Sequence, residues 1–163
     1  MPLIAAGACA VLVLTAVVLV YAAIRDFQHY SISNPLVLTL AGLFLVHAVL
    51  SGRWSTLYEN VAFALLMFAF LLLCYARGWM GGGDVKLLTV AFLWVGIHCA
   101  LAFALLLLLF TSVHALAAKV KWVSARMVEG RLKIAFAPAV SAALIGCFAG
   151  GCLAPTGSSG FCW

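Results

Sequence analysis

The sequence has 163 residues, of which 67% are hydrophobic and only 8% are charged, and its mean hydropathy is +1.25. This composition excludes a soluble globular domain and indicates an integral membrane protein. The 9 Lys and Arg residues outnumber the 4 Asp and Glu residues. In membrane proteins such an excess is typical of cytoplasmic loops in contact with anionic lipid, so we expect membrane lipids and no nucleic acid as partners.

Apolar segments predict the helices in chain order. The first begins at residue 3, lacks a basic region before it and is long for a signal peptide, so we expect a retained helix. The segments cover residues 3–24, 35–50, 60–76, 85–97, 99–118 and 135–153. Residues 85–118 would form one helix of about 50 Å, whereas a bilayer core is about 30 Å thick, so we predict two spans that turn near residues 95–100. The expected fold is all-α, a single membrane domain over residues 1–163 with about six transmembrane helices.

Basic residues define the expected orientation. With six spans, eight of the nine fall on one side of the membrane and only Arg53 falls on the other. The eight are Arg25, Arg77, Lys86, Lys119, Lys121, Arg126, Arg131 and Lys133. By the positive-inside rule, loops 25–34, 77–86 and 119–134 face the cytoplasm and both termini face outward. Loop 119–133 has no single apolar face, so we expect it to lie on the membrane surface.

Acidic residues are costly in a bilayer, so each needs a reason. Glu59 and Glu129 fall in predicted loops. Asp26 closes the first helix and Asp84 opens the fourth, which places both on the cytoplasmic side at a similar depth. Two neighbouring carboxylates can hold one proton between them, and such a pair can activate water for attack on a carbonyl. The two aspartates therefore predict aspartic protease chemistry.

The stretch MGGGDVKLL at residues 80–88 surrounds Asp84 with small residues. Gly81, Gly82 and Gly83 permit a positive φ and the close approach of another backbone. On local pattern alone, the stretch is more typical of a turn with Asp84 as the N-cap of a helix.

The wider context resembles one family. MGGGDVKLL closely resembles the GxGD signature of the type IV prepilin peptidases, which is usually followed by valine and lysine. The first motif of that family resembles residues 25–38, RDFQHYSISNPLVL, in which Ile32 and Asn34 follow Asp26. The segment departs from the motif at Ser33, where the family usually has proline, and Pro35 comes two residues later. LKIAFAPAVSAALIG at residues 132–146 is similar to the late segment in which a proline opens the last helix.

The resemblance implies an aspartic endopeptidase that removes the leader peptide of prepilins or pseudopilins at the cytoplasmic face of the bacterial inner membrane. It implies that Asp26 and Asp84 are catalytic, and that no metal or other cofactor is needed. Gly81, Gly82 and Gly83 would leave room for substrate. Lys86 and Asn34 have two interpretations each: Lys86 reaches the headgroups or contacts substrate, and Asn34 caps the second helix or supports the catalytic loop.

The size of the chain is similar to that of the short prepilin peptidases of Flp-type pilus systems. Because the first helix begins at residue 3, we expect no methyltransferase region of the kind that larger members carry. Archaeal preflagellin peptidases share the motifs, whereas presenilin-type proteases share only GxGD. The sequence does not define the oligomeric state.

Two other classes of function remain open from the residues alone. Asp26 and Asp84 would also suit a proton-coupled carrier or channel, and a non-catalytic pilus assembly subunit is a further alternative. His29 has no second ligand nearby, so we expect no metal site there. The 6 cysteines include no CxxC pair. Cys152 and Cys162 both fall on the outer side, where a disulfide between them is chemically feasible.

Overall fold

The computed structural model describes residues 2–29, 32–52, 54–119, 126–128, 131–133 and 136–151. Its helices are α1 (Pro2–His29), α2 (Asn34–Ser51), α3 (Trp54–Ala76), α4 (Gly82–Lys119) and α5 (Ala137–Ala149). Four of these are long and apolar enough to cross a membrane, and α5 is a shorter apolar helix. The prediction of a helical membrane protein is thereby confirmed.

Helix α4 is broken at Gly96, within the region where a turn was predicted. Gly96 has φ 64° and ψ −176°, which is not a helical conformation. The ring centroids of Phe92 and Phe103 lie 5.4 Å apart, although eleven residues of straight helix would separate them by about 16 Å along the axis. The two arms, residues 82–95 and 97–119, therefore fold back on each other. Within the described residues there are thus five helices, and the fourth consists of two arms on either side of Gly96. A count of six membrane spans stays a prediction.

Glycine is required at this break for two reasons. A positive φ is unfavourable for residues with a side chain. In addition, a Cβ atom on residue 96 would overlap Oδ1 of Asn60 in α3. The buried Asn60 side chain therefore lies directly against the turn of α4.

Four helices pack in a ring. Helix α1 packs against α2 and α5, and α4 packs against the same two helices, with α3 on the outside of α4. Among the residues that the structure describes, α1 and α4 make no close backbone contact with each other. They lie opposite each other across the ring, and α2 and α5 join them.

Trp94 of α4 is the centre of the buried core. It is fully buried, and its Nε1 donates a hydrogen bond to the Leu40 carbonyl of α2 at 3.1 Å. Its ring contacts Phe44 of α2 and Phe148 of α5, with centroids 5.6 Å and 5.5 Å away. These contacts fix the heights of α2, α4 and α5 relative to one another.

Two local predictions were wrong, and the basic loop has structure that was not predicted. Helix α3 begins at Trp54, so Glu59 lies within a helix, where its carboxylate is 3.6 Å from Nε2 of His98. Helix α2 has Ser33, not Asn34, at its N-cap position. The basic loop contains two short antiparallel strands, β1 (Arg126–Val128) and β2 (Arg131–Lys133), in which Met127 pairs with Leu132.

Candidate active site

Two polar contacts bring four helix ends together at one end of the ring. The first joins Asp26, near the end of α1, to Ala137 at the start of α5. The second joins Asn34 at the start of α2 to Lys86 in the first turns of α4. Both predicted catalytic aspartates therefore belong to this end of the molecule.

Asp26 is held by the start of α5. Its side chain is buried, with 5% of the residue exposed, and Oδ2 accepts a hydrogen bond of 2.9 Å from the backbone N–H of Ala137. The first N–H groups of a helix have no partner within the helix, and Pro138, the next residue, has no N–H. The partial positive charge at a helix N-terminus also suits an acidic side chain. Helix α5 thus begins directly on the carboxylate, a contact that the sequence analysis missed.

Asp84 lies in the first turn of α4 and is half-buried. The helix begins at Gly82, and the N–H groups of Asp84 and Val85 donate to the Gly81 carbonyl at 3.1 Å and 3.2 Å. Gly81 therefore occupies the N-cap position. The alternative in which Asp84 is the N-cap of a turn is wrong.

The three glycines before Asp84 have different neighbours. A Cβ atom on Gly81 would lie 3.1 Å from Oδ2 of Asp84, one on Gly82 would lie 3.4 Å from the Tyr75 ring, and one on Gly83 would lie 3.6 Å from Ile32. Of the three, Gly81 is thus the residue whose missing side chain leaves space at the carboxylate.

The three glycines do not use the positive φ that they permit. Among the described glycines, positive φ values occur at Gly52, Gly78, Gly96 and Gly151 and not at the three that precede Asp84. In the loop between α3 and α4, the left-handed position is Gly78, with φ 74°. Gly81, Gly82 and Gly83 therefore matter for space and not for backbone conformation.

Lys86 has a specific partner. Its Nζ donates a hydrogen bond of 2.9 Å to Oδ1 of Asn34. The contact joins the segment that follows Asp26 to the segment that follows Asp84. The side chain of Asn34 is therefore the partner of Lys86, while Ser33 takes the N-cap position of α2.

The two aspartates lie at the same level of the ring. The rings of Trp94 and Phe148 touch, and Asp84 precedes Trp94 by ten residues while Ala137 precedes Phe148 by eleven. At 1.5 Å per residue these distances are about 15 Å and about 16.5 Å, so Asp84 and Ala137 differ in height by only about 2 Å. Because Ala137 holds Asp26, both acids lie at one depth.

The two aspartates lie deeper in the bundle than the last residue of α3. The ring centroids of Phe63 in α3 and Phe92 in α4 are 5.8 Å apart. Asp84 is about 12 Å along the axis from Phe92, whereas the last residue of α3, Ala76, is about 20 Å from Phe63. The carboxylate of Asp84 is therefore about 8 Å further into the bundle than the end of α3.

A comparison with protein families decides the affiliation of the chain. A model of the type IV leader peptidase family matches residues 13–154, a stretch that includes both aspartates, the three glycines and α5. The chain belongs to the type IV leader peptidase family. The family predicted from the sequence motifs is thereby confirmed.

Membership makes this leader peptidase a hydrolase of peptide bonds and implies prepilin-type substrates. No curated protein and no solved structure matches the chain. In the described part of the leader peptidase, no three His, Cys, Asp or Glu side chains are grouped as metal ligands would be. The metal-free mechanism stays a prediction.

Proposed function

We propose that this leader peptidase is an aspartic endopeptidase of the bacterial inner membrane that removes the leader peptide of Flp-like prepilins or pseudopilins at the cytoplasmic face. The observation that carries the proposal is the common depth of Asp26 and Asp84 at the end where four helices meet. Each acid also lies in one of the two motifs that resemble the prepilin peptidases.

Asp26 and Asp84 would act as an acid and base pair. The ionised member takes a proton from a water molecule while the water oxygen attacks the scissile carbonyl carbon. The protonated member donates to the carbonyl oxygen, and a proton then passes to the leaving amine as the peptide bond breaks. The N–H of Ala137 donates to Oδ2 of Asp26 and holds this carboxylate in place for the reaction.

The ring leaves a place for the substrate. In the described residues, the backbones of α1 and α4 make no close contact, which supports a scissile backbone that lies between the two aspartates. The absent side chain of Gly81 provides space beside Asp84, and the contact between Lys86 and Asn34 holds the two motifs together. Because the net charge is +5, a basic leader finds little electrostatic attraction, and recognition rests on the apolar helix and the scissile region.

The cysteines support the proposed orientation. Cys9 and Cys99 are disulfide-bonded, and both lie towards the end of the bundle opposite to Asp26 and Asp84. Disulfides persist in oxidising compartments and are rare in the cytoplasm. This agrees with an active site on the cytoplasmic side, as the basic loops predict. The predicted bond between Cys152 and Cys162 lies outside the described residues.

Cleavage by purified protein tests the function. The probe is a synthetic peptide with a short basic leader that ends in glycine, followed by twenty apolar residues. We expect cleavage in detergent without a membrane gradient, and a loss of at least about 10³-fold for Asp26→Asn and Asp84→Asn, as for residues that act on the reacting atoms. Glu59→Gln, which changes an acid at the other end, should cleave normally.

The same experiment separates the proposal from its main alternative. A proton-coupled carrier or channel would not release the leader in detergent, although it too would depend on the aspartates. Full cleavage by either aspartate variant would overturn the proposed mechanism.

A further inference from the structure

A second hydrogen bond joins α5 to α1, one helical turn beyond the contact of Ala137 with Asp26. Ser141 is buried, and its hydroxyl donates to the carbonyl oxygen of Leu19 at 3.0 Å. Ser141 follows Ala137 by four residues, so both lie on one face of α5. Leu19 precedes Asp26 by seven residues, about two turns of α1, so the two acceptors also share one face.

Trp94 relates the height of α5 to that of α4, whereas the contact of Ser141 relates the height of α5 to that of α1. The buried neighbours of Ser141 on the helix are small or aliphatic, namely Ala137, Ala139, Val140, Ala143 and Leu144. Such surfaces allow helices to approach closely, and a serine hydroxyl adds a directional hydrogen bond between them. The Ser141 hydroxyl donates across the interface to Leu19 rather than to a carbonyl of its own helix, and this contact forms at one axial position of α5 relative to α1.

The axial position of α5 determines where its first N–H points. A shift by one residue would move the N–H of Ala137 by about 1.5 Å relative to Oδ2 of Asp26, which is enough to break a hydrogen bond of 2.9 Å. Asp26 would then lose its buried donor and adopt other rotamers. The contact at Ser141 thus controls the orientation of a carboxylate that it does not touch.

We propose that Ser141 is a positioning residue, whose hydrogen bond to Leu19 sets α5 so that its first N–H orients Asp26 for the reaction. The inference rests on the proposed function of Asp26 in catalysis. It assigns a role to the late proline-containing segment, which the proposed mechanism otherwise leaves without one.

Two isosteric variants test the hydroxyl. Ser141→Thr and Ser141→Val add the same volume at a buried position, but only threonine retains the donor. Misplacement of a catalytic group by about 1 Å can cost about 100-fold in rate. We expect a smaller displacement of the Asp26 carboxylate in the valine variant, and hence a kcat about tenfold below that of the threonine variant. The KM for the synthetic leader peptide should agree within about twofold, because Ser141 does not contact substrate.

Amide hydrogen exchange at Ala137 provides a measurement that does not depend on the reaction. We expect exchange to be at least about tenfold faster in the valine variant than in the threonine variant, because the N–H loses its acceptor. Thr111→Val is the matched control, since the Thr111 hydroxyl donates within its own helix, to Leu107 and Leu108. The kcat of this variant should equal that of the wild type.

Each outcome has a definite meaning. Equal kcat or equal exchange in the two Ser141 variants would overturn the inference. If neither variant folds, Ser141→Ala replaces them, since it removes the hydroxyl without added volume, and wild-type kcat in that variant would also overturn the inference. Cleavage by Asp26→Asn would instead refute the proposed function, whatever the Ser141 variants show.

Discussion

Gly81 offers a sharp test of the geometry at Asp84. In Gly81→Ala, the new Cβ atom would lie 3.1 Å from Oδ2 of Asp84, closer than an ordinary van der Waals contact, so the carboxylate must move by a few tenths of an ångström. If a displacement of about 1 Å costs about 100-fold in rate, this smaller shift should cost about three- to tenfold in kcat. The backbone is not strained, because the φ of Gly81 is not positive.

Gly83→Ala is the matched control for this substitution. Its Cβ atom would lie 3.6 Å from Ile32, which is an ordinary contact, so the variant should cleave at close to the wild-type rate. Rates are measured with the synthetic leader peptide, and thermal unfolding in detergent shows whether either variant is destabilised. The reasoning would be refuted if Gly81→Ala were fully active, or if Gly83→Ala lost more activity at equal stability.

Two further predictions concern contacts away from the carboxylates. Lys86→Met should lower kcat about tenfold, because it removes the hydrogen bond that joins the two motifs. Asn34→Asp retains an acceptor for Nζ of Lys86 and should therefore cleave faster than Asn34→Leu. Equal rates for the two Asn34 variants in the peptide assay would contradict this role. Gly96→Ala should destabilise the protein by at least about 1–3 kcal/mol, because a positive φ is strained in alanine and Cβ would overlap Asn60. Thermal unfolding measures the loss of stability. Gly7→Ala is the control, because its Cβ atom would lie at an ordinary distance of 3.6 Å from Leu50. Equal stability of the two variants would contradict the requirement for glycine at position 96.

Much of the fold follows from segment length. The apolar run at residues 85–118 exceeds the bilayer thickness, so a turn was required, and Gly96 provides it. The common depth of Asp26 and Asp84 follows in the same way, because each acid lies at a helix end on the side with most basic residues. Such predictions need only the number of residues in each apolar segment, because the thickness of the bilayer determines the length of a spanning helix.

The contacts between distant segments could not be predicted. Asp26 is held by a backbone N–H 111 residues away, and a backbone donor leaves no signature in the sequence beyond the nearby proline. Asn34 had a plausible local role as a cap, but Lys86, 52 residues further on, is its partner. Local pattern also indicated Asp84 as a cap, whereas the cap position is Gly81, three residues earlier, because glycines allow several starting positions. Propensity alone does not decide between such alternatives.

The central claim is that Asp26 and Asp84 act as one catalytic unit. The most direct measurement compares the rate of leader cleavage for the wild type, Asp26→Asn, Asp84→Asn and the double variant in detergent. Residues that act as a unit are strongly non-additive, so the account predicts that each single variant loses at least about 10³-fold and that the double variant loses no more. Full cleavage by either single variant, or losses that multiply in the double variant, would contradict it.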